Sequence, residues 1–239
     1  MKKQNLHSTS RRGFLGSIAA GTTALGVSAI ATPINTYAKA ITGNSIEDAD
    51  AWFNKVKGKH KVVFDATRPH EIMPFVWPRV FLMTNGATGT PAKDCGVVVV
   101  LRHAAIPYAF EDSLWAKYNF GEFFKANEIG PSFKAADAAT ATSVRNPFWK
   151  PKPGDFVAPG VGSVSIGIND LQADGVMFCV CNAAITVYTA AMAGMKNIDA
   201  EALKKEWLAG LLPGIQVVPS GVWALGRAQE KACAYIFAG

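Results

Sequence analysis

The sequence predicts an α/β fold: a doubly wound, mainly parallel sheet with helices on both faces. Short β-branched runs recur in "HKVVFDAT", "CGVVVVLRH", "VMFCVCN" and "GIQVVPSG". Between them lie stretches whose apolar residues repeat at helical spacing. The run "VVVVL" at 97–101 is apolar without interruption, which suits a strand covered on both faces. Strands alternating with helices in this way imply parallel pairing, with the connecting helices packed on the sheet.

Taken in order, "NSIEDADAWFNKVKG" opens with a capping-box pattern from Ser45 to Asp48 and predicts a short amphipathic helix ending near Gly58. "HKVVFDATRP" is a strand stopped by Pro69. "MPFVWPRVFLMTNGATG" is a helix, with Pro74 and Pro78 placed near its start, where a first turn tolerates them. "CGVVVVLRH" is the second strand and "EDSLWAKYNFGEFFKA" one helix. "IGINDLQADG" is a helix closed by Gly175, followed by the buried strand "VMFCVCN". "AAITVYTAAMAGM" and "DAEALKKEWLAGL" are helices, "GIQVVPSG" a strand, "VWALGRAQEKA" a helix and "CAYIFAG" a last short strand.

One segment breaks the rhythm. Residues 127–162 are rich in Ala, Thr, Pro and Gly without a period, which predicts an irregular insertion. Its aromatic pair Phe148-Trp149 lies between prolines and predicts that part of the insertion packs down.

Residues 1–40 predict an export signal. Ser10-Arg11-Arg12-Gly13-Phe14-Leu15 has the twin-arginine pattern, a mildly apolar run follows, and Ala38-Lys39-Ala40 offers small residues for cleavage. The run from Phe14 to Ala31 is too rich in Gly, Ser and Thr to make a good membrane anchor. These features predict a periplasmic protein exported by the twin-arginine route, with no membrane attachment after cleavage and one α/β domain over 41–239. The leader holds five of the 24 basic side chains (Lys2, Lys3, Arg11, Arg12, Lys39) and none of the 18 acidic ones. The remainder carries 19 against 18, so the positive charge belongs mainly to the leader and gives no ground for a nucleic-acid partner.

Chemistry concentrates at the carboxyl ends of the strands, where open parallel sheets hold ligands. Cys181 ends the "VMFCVCN" run just before a helix, whose N-terminal N–H groups and partial positive charge favour a thiolate. Asn182 and the N–H groups after it are candidate donors to whatever the sulfur binds. Cys179 should share Cys181's face of a regular strand, about 6–7 Å away along it, too far to bridge without distortion. It reads as a small core residue. Cys95 and Cys233 read as buried free thiols, although an oxidising compartment would permit pairing. His103, ending "VVVVLRH", is a candidate base beside Cys181, or a histidine simply hydrogen-bonded at a strand end. Thr67 and Arg68 follow the first strand, and Arg68 is a candidate anion holder or one half of a surface ion pair. The chain has no Gly-rich phosphate loop, H-E-x-x-H, C-x-x-C-H or serine nucleophile elbow, and no cofactor is implied.

The second half, "VMFCVCNAAI" followed by "LLPGIQVVPSGVWALGRAQEKACAYI", resembles the DsrE/DsrF-like family, and "GKHKVVFDAT" and "VVVVLRH" match its first two strands. The resemblance covers about 60–120 and 163–239. It implies a flavodoxin-like three-layer sandwich that forms homo- or hetero-oligomers. In sulfur-relay members a cysteine at the end of the third strand carries a persulfide, and by position that residue is Cys181. The chain differs from relay members in adding Cys179, in having "AMAGMK" where many carry Arg-Gly, and in its export signal.

Three functions follow as expectations. The first is an exported carrier of reduced sulfur that exchanges with small sulfur species or a thiol partner protein. The second is a non-catalytic, oligomeric ligand- or partner-binding protein of the same fold. The third is a periplasmic metal-binding module using Cys181, His103 and Cys179.

Overall fold

A computed structural model describes residues 46–126 and 144–239. The predicted leader 1–40, the predicted cap at Ser45 and residues 127–143 of the insertion lie outside the described residues. In chain order the elements are α1 (Ile46–Phe53), β1 (His60–Ala66), α2 (Met73–Ala87), β2 (Cys95–Leu101), α3 (Asp112–Tyr118), α4 (Phe120–Phe123), β3 (Val157–Ala158), β4 (Gly162–Ser163), α5 (Ile168–Ala173), β5 (Met177–Cys181), α6 (Asn182–Lys196), α7 (Ala200–Ala209), β6 (Ile215–Val218), α8 (Gly221–Glu230) and β7 (Ala234–Phe237). A 3-10 segment, His103–Ala109, follows β2.

Five strands form one sheet in the order β6-β5-β2-β1-β7, every pair parallel, while β3 and β4 make a small antiparallel hairpin. The fold is thus an α/β sandwich, as the alternation of runs predicts. From β1 the chain steps one way through β2 and β5 to β6, then crosses back to β7. Parallel crossovers are right-handed, so the three forward steps put their helices on one face and the return step puts α8 on the other. The two packed layers follow this rule. Val62, Phe64, Val97, Val99, Phe178 and Val180 pack in the larger core with Phe75 and Leu82 of α2 and Ile185 of α6. Their alternating neighbours Val63, Val98, Val100 and Cys179 pack with Phe53 of α1 and Ala224 and Ala228 of α8. Every residue of β2, the central strand, is buried.

Two local readings change. Pro74 sits in the first turn of α2, but Pro78 lies in the second and removes one hydrogen bond from the helical ladder. Both prolines are buried with Phe75 and Leu82, and that packing offsets the loss. The helix predicted over 111–126 is broken into α3 and α4 at Asn119, which adopts the left-handed conformation (φ 54°, ψ 49°) that asparagine tolerates better than most residues. The described part of the insertion packs down at its aromatic pair, as the sequence predicts. The Phe148 ring stacks on Phe75 at 4.1 Å and on Phe156 at 5.1 Å. Asn146 is fully buried; its side-chain amide donates to the carbonyls of Tyr108 (2.9 Å) and Phe110 (3.1 Å), and its Oδ1 accepts from the Phe148 N–H (3.1 Å). One asparagine therefore supplies the partners that a regular ladder would have given these backbone groups. Among the described residues no helix is long and apolar enough to cross a membrane.

Candidate functional site

The topology fixes where a crevice opens. After β5 the chain turns to one face as α6; after β6 it turns to the opposite face as α8. The two carboxyl ends are neighbours, with Cys181 opposite Val218, and their continuations part above them. A cleft of about 280 Å³ lies there. Cys181, Arg102, His103, Tyr188 and Ser220 are its polar residues, with Ala183, Ala184, Val187 and Val222 among its apolar walls.

Cys181 is the last residue of β5 and the N-cap of α6 (φ −75°, ψ 108°), and its Sγ accepts a hydrogen bond from the Ala184 N–H at 3.2 Å. It is 6 % exposed and packs with the larger core. Cys179, two residues back, lies in the smaller layer. The shared face expected for a regular strand is lost because the strand ends at Cys181 and the sulfur turns to cap the helix. All four cysteines are free and buried. Burial pushes the thiols of Cys95, Cys179 and Cys233 above their ordinary value. Of the four, only Cys181 lines this cleft.

His103 is exposed at the start of the 3-10 segment, with φ 48°, and its ring meets the Tyr188 ring edge-on at 5.8 Å. A left-handed histidine stores on the order of 1–2 kcal/mol of strain. His103 lines the same cleft as Cys181, while the sulfur's hydrogen bond goes to Ala184.

The other predicted residues stand elsewhere. Asn182 is fully buried beneath the first turn of α6, and Thr186 Oγ1 donates to its carbonyl at 3.0 Å. The cleft is lined by Ala183 and Ala184 instead, whose N–H groups go to the Pro219 carbonyl (3.2 Å) and to Cys181 Sγ. Thr67 spends both its N–H and its hydroxyl on the carbonyl of Gly239, and Arg68 is exposed beside it. Both follow β1, which is separated from β5 by β2, and neither lines the cleft.

The residue that sequence reasoning passed over is Arg102. Its Nε and Nη2 donate to the two oxygens of Asp65 at 2.6 and 2.9 Å, a bidentate fork. Asp65, at 1 % exposure, also accepts from the Tyr235 hydroxyl at 2.8 Å. The hydrogen bond to Asp65 holds the Arg102 guanidinium above its ordinary value, and burial together with Asp65 raises the Tyr235 phenol. The stem of Arg102 rests against Gly221: a Cβ there would lie 2.4 Å from the Arg102 Cβ and 2.7 Å from its Cδ. Gly221→Ala is therefore expected to drive Arg102 off Asp65 and to cost about 1–3 kcal/mol, read as a fall in Tm. An unchanged Tm would mean that the close approach constrains nothing. The sequence signal for Arg102 was its place next to His103 at a strand end, but its partners are 37 and, through Asp65, 133 residues away.

Among the described residues no three His, Cys, Asp or Glu side chains converge as metal donors. No family model matches the chain, and no curated protein is significantly similar to it. A solved protein of unknown function from Methanobacterium thermoautotrophicum, MTH1491, is similar to it at 16 % identity and a TM-score of 0.38, over 75 % of this chain and 99 % of that one.

Proposed function

We propose that the protein is an exported carrier of reduced sulfur of the DsrE/DsrF-like kind, with Cys181 as the atom that accepts and releases sulfane sulfur. The observation that carries this reading is the placement of Cys181: a strand-end cysteine capping a helix at the floor of the cleft that the topology opens. In such a carrier the Cys181 thiolate attacks a sulfane sulfur, the donor's S–S bond breaks, and the electron pair leaves with the donor. The resulting persulfide then passes its outer sulfur to a thiol partner. In this reading His103, which lines the same cleft, takes the thiol proton.

A second reading, a non-catalytic binding protein of the same fold, draws on the burial of Cys181 and on the exposed apolar rim, Val187 and Val222. Thiol chemistry separates the two. With a neutral alkylating agent near neutral pH, Cys181 of the folded protein should react first, because of the four cysteines it alone lines the cleft, while burial raises the other three thiols and keeps them protonated. Peptide mass mapping over time reads the order. Four cysteines that remain inert until the protein is denatured would favour the binding reading.

A further inference from the structure

Arg102 does more than close an ion pair. Asp65 engages Nε and Nη2, which fixes the plane of the guanidinium and leaves Nη1 outside the pair. Asp65 itself is buried and spends its oxygens on Arg102 and Tyr235, so it is not a wall of the cleft. The lining contains no carboxylate: its ionisable groups are Arg102, His103, Cys181 and the Tyr188 phenol, set among apolar side chains. Arg102 is 27 % exposed at the side chain and borders the same space as the sulfur. A guanidinium held in orientation by Asp65, with Nη1 left outside that pair and no carboxylate in the lining, favours negative charge on the ligand.

Resting on the carrier reading above, we propose that the sulfur donor is a small anion of the thiosulfate class, and that Arg102 binds the oxyanion that leaves when its outer sulfur is taken. Asp65 and Tyr235 act as positioning residues that hold Arg102 in place. The step balances without any further reagent. The Cys181 thiolate forms a bond to the sulfane sulfur of S–SO₃²⁻, the S–S bond breaks, and its electron pair departs on sulfite, leaving a Cys181 persulfide. The charge that develops on the leaving group is met by Arg102, whose Nη1 lies outside its pair with Asp65. A neutral leaving group would draw no such benefit.

The test compares the wild type with Arg102→Gln and Arg102→Lys, measuring the rate of persulfide formation from thiosulfate by intact mass. The alkylation rate of the same thiol by neutral iodoacetamide, and by anionic iodoacetate, serves as the reference. The expected result is that Arg102→Gln lowers thiosulfate loading roughly tenfold or more, the scale of one charge-assisted hydrogen bond. The iodoacetate-to-iodoacetamide ratio should fall with it, and Arg102→Lys, which keeps the charge but loses the fork, should lie between. Because Arg102→Gln strands Asp65, the double variant Asp65→Asn with Arg102→Gln removes both charges and supplies a folded comparison. Equal losses toward thiosulfate, iodoacetate and iodoacetamide would make Arg102 a structural residue and overturn the inference. Loading of the wild type from polysulfide but not from thiosulfate would overturn it while leaving the carrier reading intact. Loading from neither would sink the carrier reading, and this inference with it.

Discussion

Cys181→Ser is expected to remove every trace of sulfur loading while leaving the protein folded. Cys181 caps α6 by accepting the Ala184 N–H, and serine is among the most favoured residues for that task. The hydroxyl is smaller than the thiol and sits at a nearly buried position, so a small cavity cost opposes the better cap. The net change in Tm should stay within about 3 °C, equivalent to roughly 1 kcal/mol for a chain of this size. Persulfide formation and alkylation in the cleft should both vanish, because a hydroxyl is not ionised near neutral pH and does not attack sulfane sulfur. Retained loading in this variant would move the chemistry to another cysteine.

Asp65→Ala is expected to be the most destabilising single change at the site. The carboxylate is 1 % exposed and accepts from Arg102 Nε, Arg102 Nη2 and the Tyr235 hydroxyl. Breaking a fully buried pair costs about 3–5 kcal/mol because the surviving charge is stranded. Arg102 retains 27 % side-chain exposure and can recover some hydration, which puts the expected loss at about 2–4 kcal/mol, or roughly 5–12 °C in Tm. Tyr235 on the edge strand β7 loses its partner at the same time, so protection of the β1–β7 hydrogen bonds from exchange should fall. A Tm within about 1 °C of the wild type would show that the fork contributes no net stability, and its remaining role would be to orient Arg102.

The fold was legible because its strands advertise themselves. "VVVVL" could be placed at the centre of a sheet covered on both faces, and the central strand is where it stands. The crossover rule then determines which helices share a face, and hence that Cys181 borders a crevice. What the sequence hid is non-local. Arg102 acquires its role from Asp65 on β1 and Tyr235 on β7, neither of which its neighbours in sequence suggest. Thr67 and Arg68 looked equivalent to His103 because all three follow a strand, yet the strand order separates them from Cys181. Local chemistry cannot report that distance. Phe148-Trp149 signalled that part of the insertion packs down, but the Asn146 bonds that hold it come from one side chain and leave no periodic trace. The N-cap role of Cys181 also lies beyond pattern reading, since cysteine is not a residue by which caps are recognised.

Release is the property that distinguishes a carrier from a cysteine that merely oxidises. The most direct measurement loads the protein with polysulfide, removes the excess, records the intact mass, and then adds cyanide as an acceptor of sulfane sulfur. Loading should add about 32 Da, one sulfur atom, mapped to Cys181. Cyanide should return the protein to its starting mass and yield one equivalent of thiocyanate. A protein that gains no sulfur, gains it at Cys95, Cys179 or Cys233, or keeps it in the presence of cyanide would contradict the account.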